Sequence, residues 1–352
     1  MTDGHLLASS ASKPPAKATC FLTGATGFIG GHLAERLVRE GHRVRCLVRA
    51  TSDTSLLDKL DVELAVGDLT SLSSLLEAVE GCRYAFHCGA FVSDWATAKE
   101  IAAINVEGTR HVLEAAVASG VERFIHFSTT DVYGYPGGVA IDETYQPTRF
   151  RNWYAQTKLE AEAEVRRATA AQSLAVVILR PATVYGPRSK EVVGEIARAI
   201  RNRSMLLIDG GRAVAGLCYV QNLIDAALVA LHHQSAVGQT FNVSDGLGVT
   251  WKQFTQDIAQ GLGCAPPRFS MPYWIAAAVG LSLEYSYRLL RGASGLTTPP
   301  LLSRQAVQVM GSDQDFSNRK ARDMLGWEPR VDYETGLRAT IEWLQAEHFS
   351  HA

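Results

Sequence analysis

The chain has little that would recognise a strongly charged partner. Its 352 residues hold 34 Lys and Arg against 36 Asp and Glu, a formal net charge of −2. No Lys/Arg cluster breaks that balance locally, which argues against a nucleic-acid partner. The six cysteines, at 20, 46, 82, 88, 218 and 264, form no Cys-x-x-Cys pair and no zinc-finger-like Cys/His pattern. No metal site is expected, and reduced thiols in a cytoplasmic protein are. No uninterrupted apolar run is long enough to span a bilayer, because the most apolar stretch, Pro272 to Arg291, contains Glu284 and Arg288. Residues 1–17 are polar, rich in Ser, Ala and Pro, and hold no apolar stretch of signal-peptide length, so they read as a loose tail. No internal repeat and no low-complexity block occurs. At 47% hydrophobic, the chain can bury a large core in one or two domains.

What is present begins at Thr19. Cys20 to Leu22 reads as a buried strand, and Gly24, Gly27 and Gly30 follow at the spacing G-x-x-G-x-x-G. Ile29, Leu33 and Leu37 then recur on one helical face, with Gly41 as the stop. Strand, glycine turn and helix together predict a dinucleotide site, with a pyrophosphate on the helix N-terminus held by Gly24, Thr26, Gly27, Phe28 and Ile29.

Strand and helix patterns go on alternating, as in a parallel sheet covered on both faces. Strands are expected at 44–48, 62–66, 84–88, 124–127 and 175–179, and helices at 71–79, 101–119 and 153–169, the last capped by Asn152. Past residue 185 the pattern loosens, with strands at 206–208 and 239–243 and helices at 192–202, 222–232 and 251–262. A dinucleotide-binding domain over 18–183 is expected, then a smaller domain over 184–352 from which about 217–243 returns to the first.

The second strand ends Cys46-Leu47-Val48-Arg49. An acid there would select NAD through the ribose hydroxyls, whereas an arginine accommodates a 2′-phosphate, so NADP(H) is favoured over NAD(H). Asp68 and Leu69 follow the third strand, where a carboxylate can take an adenine amino group. Cys88, Gly89 and Ala90 follow the fourth, where small residues let backbone lie along the cofactor.

Ser128-Thr129-Thr130 closes the fifth strand, and Tyr154 and Lys158 stand at i, i+4 at the start of the next helix. An ammonium beside a phenol favours the phenolate, which makes Tyr154 a base, and a hydroxyl at the strand end can hold the substrate oxygen.

With Gly24-Ala-Thr-Gly-Phe-Ile-Gly30, Val132-Tyr133-Gly134, Tyr154-x-x-x-Lys158 and Arg180-Pro-Ala-Thr-Val-Tyr-Gly-Pro187 in order, the chain from about 18 to about 345 resembles an extended short-chain dehydrogenase/reductase. The resemblance implies a doubly wound α/β (Rossmann) domain carrying a smaller α/β substrate-binding domain. It implies Thr129, Tyr154 and Lys158 as catalytic residues, with Ser128 the alternative one position away. It also sets Pro181, Thr183 and Val184 beside the nicotinamide and implies a homodimer through 101–119 and 153–169.

Members acting on nucleotide sugars carry an Asn where this chain has Thr183 and an Arg where it has Ala215. Phe91-Val-Ser-Asp-Trp95, the 272–291 segment, Pro300-Leu-Leu-Ser-Arg304 and Asp315-Phe-Ser-Asn-Arg-Lys320 are instead similar to the 3β-hydroxysteroid dehydrogenase and sterol-4-carboxylate 3-dehydrogenase branch. Ser93, Trp95, Thr130 and Tyr185 are the substrate contacts expected from it. The implied activity is hydride exchange between NAD(P) and a secondary alcohol or ketone on a bulky apolar molecule, with 4-decarboxylation where a 4-carboxylate is present. A nucleotide-sugar epimerase or dehydratase and a non-catalytic NADP(H) sensor are the alternatives. Residues 272–291 are expected either as an amphipathic lid over the substrate, touching a membrane surface peripherally, or as a core helix.

Overall fold

A computed structural model describes residues 17–93, 96–138, 140–146, 152–172, 174–294 and 304–347. Trp95, residues 300–303, and the side chains of Glu284 and of 287–291 lie outside the described set, as does nearly all of the expected tail.

The chain alternates strand and helix from the start: β1 (Thr19–Thr23), α1 (Phe28–Arg39), β2 (Arg43–Val48), β3 (Val62–Val66), α2 (Leu72–Val79) and β4 (Tyr84–His87). Then come α3 (Ala98–Ala102), α4 (Gly108–Ala118), β5 (Arg123–Phe127), α5 (Trp153–Gln172) and β6 (Val176–Pro181). Continuous apolar runs such as Cys20-Phe21-Leu22, fully buried, are what a strand covered on both faces requires. Seven parallel strands order as β10-β6-β5-β4-β1-β2-β3, with β10 at Thr240–Val243. The chain reverses direction across the sheet between β1 and β4, and the crevice outside their carboxyl ends is where such folds bind ligands.

Two apolar layers sandwich this sheet. Leu33 and Leu37 of α1 pack with Leu22, Phe86 and Ile125 on one face, and Leu75, Val112 and Leu113 pack with Phe21, Ala85 and Phe124 on the other.

The remaining elements are β7 (Thr183–Tyr185), α6 (Glu195–Arg201), β8 (Leu206–Ile208), β9 (Leu217–Tyr219), α7 (Val220–His232), α8 (Trp251–Gly261), β11 (Phe269–Met271), α9 (Tyr273–Ser294), α10 (Arg304–Gly311), α11 (Arg319–Leu325) and α12 (Tyr333–Ala346). β7 pairs with β9 and β8 with β11, outside the seven-stranded sheet. A third apolar cluster, built on Tyr185, Tyr219, Trp251 and Phe254, forms its own core there.

Two expectations need correction. The helix expected over 101–119 starts earlier and is broken. Thr97 and Glu100 form a reciprocal capping box that opens α3 at Ala98, and a π-helical turn over Ala103–Glu107 separates α3 from α4. The core-helix reading of 272–291 holds for one face only. Ala276 and Gly280 of α9 are buried against α10, but Trp274 is 73% exposed, Leu281 53% and Tyr285 68%. Among the described residues no helix is long and apolar enough to cross a membrane.

Candidate active site

A cleft of about 570 Å³ opens at the carboxyl ends of β1 to β4. The turn residues Gly24, Thr26 and Gly27 line it, with Arg49 after β2, Asp68 and Leu69 after β3, and Cys88, Gly89 and Ala90 after β4. Gly24 has φ +71°, and a Cβ there would stand 2.8 Å from the Cys88 carbonyl carbon. A Cβ on Gly30 would fall 2.1 Å from the Gly24 oxygen, so turn and helix can meet only through glycine. Gly27 caps α1 with no side-chain bond and no acid in the first turn, which leaves the helix's first N–H groups to an anion. Phe28 and Ile29 begin α1, and their side chains pack inside the protein. Phe28 stands edge-on to His32, and Ile29 packs against the main core. The Asp68 carboxylate is held below the usual range chiefly by the Thr70 hydroxyl and N–H, and less by Arg49.

Behind the cleft runs a chain of hydrogen bonds whose direction is fixed. Gly89 N–H donates to Thr23 Oγ1 at 3.0 Å, and Thr23 Oγ1 lies 2.7 Å from His87 Nδ1. His87 Nε2 lies 2.9 Å from Thr109 Oγ1, whose proton is committed to the Asn105 carbonyl at 2.6 Å. Nε2 must therefore donate and Nδ1 accept. Burial drives the His87 pKa down to about 3, so the ring is neutral. Asn105, in the π-helical turn, holds Phe91 N and O and donates to Thr157 of α5 at 3.2 Å. The backbone along the cleft and the helix carrying Tyr154 are thus tied together by side chains that no spacing pattern marked.

Asn152 Oδ1 accepts from Tyr154 N at 2.6 Å and Ala155 N at 3.4 Å, capping α5 as expected. Lys158 is buried and its Nζ donates to the Phe127 carbonyl at 2.5 Å. Burial lowers its pKa to about 8, partly offset by Glu162. Tyr154 departs from expectation: burial, with the Asp131 carboxylate adding to it, pushes the phenol above its usual value.

Ser128 and Thr129 part company at the end of β5. Ser128 Oγ donates to Glu162 Oε1 at 2.6 Å, away from the site, whereas Thr129 is half-buried and its Oγ1 accepts from Asp131 N at 3.1 Å. Glu162 also holds Arg180 bidentately at 2.6 and 2.8 Å, and Arg180 donates to Tyr133 Oη at 2.9 Å. Tyr133 in turn donates to Asn242 Oδ1 on β10 at 2.7 Å. The arginine of the Arg180-to-Pro187 motif and the tyrosine of Val132-Tyr133-Gly134 are therefore a buried brace between β5, α5, β6 and β10. Glu162, one turn beyond Lys158, escaped the sequence reading.

Of the other expected contacts, Ser93 accepts from Ala96 N at 3.1 Å, and Thr130 is buried in the 3₁₀ turn that follows Thr129. Pro181 ends β6, buried, and Thr183 and Val184 start β7, with Thr183 N donating to the Gly216 carbonyl at 2.8 Å. None of these three lines the cleft of β1 to β4. Tyr185, expected at the substrate, is a core residue instead: it is fully buried, with its ring against Tyr219, Phe254 and Tyr333.

Residues 20–244 match the NAD dependent epimerase/dehydratase family. The chain belongs to that family, and it is an NAD(P)-dependent dehydrogenase/reductase of the extended short-chain type. It is 30% identical to the 4-hydroxy-2-methyl-3-oxo-4-farnesyl-3,4-dihydroquinoline-1-oxide ketoreductase of Stigmatella aurantiaca, over 91% of this chain and 94% of that protein. It is 27% identical to the 3beta-hydroxysteroid-dehydrogenase/decarboxylase isoform 1 of Arabidopsis thaliana, over 94% of this chain and 80% of that protein. Among solved structures, that of gox2253 superposes with a TM-score of 0.78 at 28% identity, covering 94% of this chain and 99% of that one. The UDP-glucose 4-epimerase of Thermotoga maritima superposes with a TM-score of 0.76 at 23% identity, over 94% and 99%.

Proposed function

We propose that the protein interconverts a secondary alcohol and a ketone on a bulky apolar substrate, a 3β-hydroxysteroid or sterol being the leading class. What supports this reading is the Tyr154 and Lys158 pair at i, i+4 on α5, tied to the end of β5 by the Lys158 bond to the Phe127 carbonyl at 2.5 Å, two residues before Thr129. Tyr154 moves the proton at the substrate oxygen, Thr129 holds that oxygen, and the Lys158 ammonium orients the ribose and stabilises the phenolate. When bound, the nicotinamide supplies or accepts the hydride. Arg49, with no acid at the end of β2, supports NADP(H) over NAD(H). A substrate bearing a 4-carboxylate would lose CO₂ from the 3-ketone without a further residue, and the plant relative's name includes that second step. The ketoreductase relative's farnesyl-bearing substrate supports an apolar ligand.

The test is NAD(P)H turnover against 3-hydroxysteroids, 3-ketosteroids, long-chain ketones and UDP-sugars. Turnover confined to apolar alcohols or ketones is expected. Conversion of a UDP-sugar alone would overturn the reading in favour of an epimerase or dehydratase. Cofactor binding without turnover of any panel member would overturn it in favour of a sensor.

A further inference from the structure

The helix α10 reaches the catalytic helix through one side chain. Gln305 Oε1 accepts a hydrogen bond from Asn152 Nδ2, and Asn152 Oδ1 caps α5 by accepting from Tyr154 N at 2.6 Å. Gln305 Nε2 lies 3.3 Å from Asp131 Oδ2 and 3.3 Å from Tyr135 Oη, both just after Thr129 in the chain. One side chain thus joins α10, the cap of α5 and the turn that follows β5. Val307, two residues on and so on the far side of α10, is fully buried and lines an apolar cavity of about 230 Å³ with Tyr273, Ala277 and Leu281 of α9.

We propose that Gln305 is a positioning residue that couples the α9–α10 pair to the first turn of α5, so that where α10 sits sets where the Tyr154 hydroxyl sits. A cap fixes the backbone of the two or three residues that follow it, and Tyr154 is the second residue after Asn152. Displacement of a proton-transferring group by about 1 Å costs up to about a hundredfold in rate, so a bond two residues from Tyr154 has leverage on turnover without touching substrate. Seating an apolar substrate against α10 then aligns Tyr154 through Gln305 and Asn152. This rests on reading Tyr154 as the proton-transferring residue.

The bond can be cut from either side. Gln305→Ala removes it from α10. Asn152→Ser keeps an equally good cap for α5 but lacks the amide that reaches Gln305, so it removes the bond without uncapping the helix. Each variant is expected to lower kcat on the best panel substrate by on the order of tenfold, with KM changed by less than about threefold and cofactor affinity unchanged. The double variant is expected to be no worse than the worse single one, because both remove the same bond. Additive losses, a loss confined to KM, or wild-type kcat in Gln305→Ala would overturn the proposal. Hydrogen exchange at the Tyr154 and Ala155 amides reads the coupling without substrate. Faster exchange in Gln305→Ala is expected even if the panel fails and the functional reading with it, and unchanged exchange would overturn the coupling on its own.

Discussion

Ser128 Oγ donates to Glu162 at 2.6 Å while Thr129 Oγ1 accepts from Asp131 N at 3.1 Å, so the two adjacent hydroxyls that follow β5 have separate partners. A hydrogen bond to a buried carboxylate is worth about 1.5–3 kcal/mol, and losing it leaves part of a charge unpaired. Ser128→Ala should therefore lower the urea midpoint while leaving kcat within a few fold. Thr129→Ala should instead cut turnover strongly, its stability cost limited to the cap bond to Asp131 N, about 0.5–2 kcal/mol. The opposite pattern would move the substrate-holding role to Ser128.

Tyr154→Phe tests the proton step directly. Turnover should fall roughly a hundredfold or more, the usual scale for losing a general acid or base, while cofactor binding persists. Near wild-type rates would place that role on another residue.

Arg49 lines the cleft beside Asp68 at the end of β2. Replacing Arg49 with Ala should weaken NADP(H) by about 1.5–3 kcal/mol, the range for a charged hydrogen bond, and leave NAD(H) nearly unchanged. Equal losses for both cofactors, measured by fluorescence titration, would show that the arginine does not read a 2′-phosphate.

Lys158 links pH to both rate and stability. Its pKa falls from 10.5 to about 8 on folding, so the ammonium is half lost near pH 8 and turnover that depends on it should decline above that pH. Because the folded state resists protonation, the cost is fully present below about pH 8. It is relieved as pH rises toward 10.5, where the unfolded chain also loses the proton. The shift corresponds to about 3 kcal/mol. Wild type should therefore gain stability relative to Lys158→Met between pH 8 and 10.5, and parallel urea midpoints over that window would contradict the assignment.

The parallel sheet and the cleft were legible because they follow from local rules: apolar runs, glycines at fixed offsets, and the residue that ends each strand. The Tyr154/Lys158 pair was legible because i, i+4 spacing fixes a shared helix face. What escaped depends on contacts between residues far apart in the chain. Glu162 reads as an ordinary helix carboxylate until Arg180 and Ser128 are brought to it. Gln305 lies 153 positions from Asn152, and nothing local marks it. The phenol's raised pKa escapes for a related reason, since it comes from burial and from the Asp131 carboxylate, neither of which the spacing of Tyr154 and Lys158 marks. Tyr185 was misplaced because an aromatic beside a motif looks the same whether it faces ligand or core.

The exposed face of α9 gives a prediction in which stability and activity separate. Trp274, Leu281 and Tyr285 recur at seven- and four-residue steps, so they share one stripe, and all three are more than half exposed. Substitutions at such sites usually change stability by no more than about 0.5 kcal/mol, because little packing is lost. Trp274→Asp combined with Leu281→Asp should therefore leave Tm nearly unchanged. The inner side of the helix, where Ala276 packs on α10, is untouched by these changes. Leu281 also lines the α9–α10 cavity, so turnover of water-insoluble sterols should fall severalfold while a short, soluble ketone is processed at the wild-type rate. A fall in Tm of many degrees, with both substrates affected alike, would show that this face supports the fold and has no part in handling an apolar substrate.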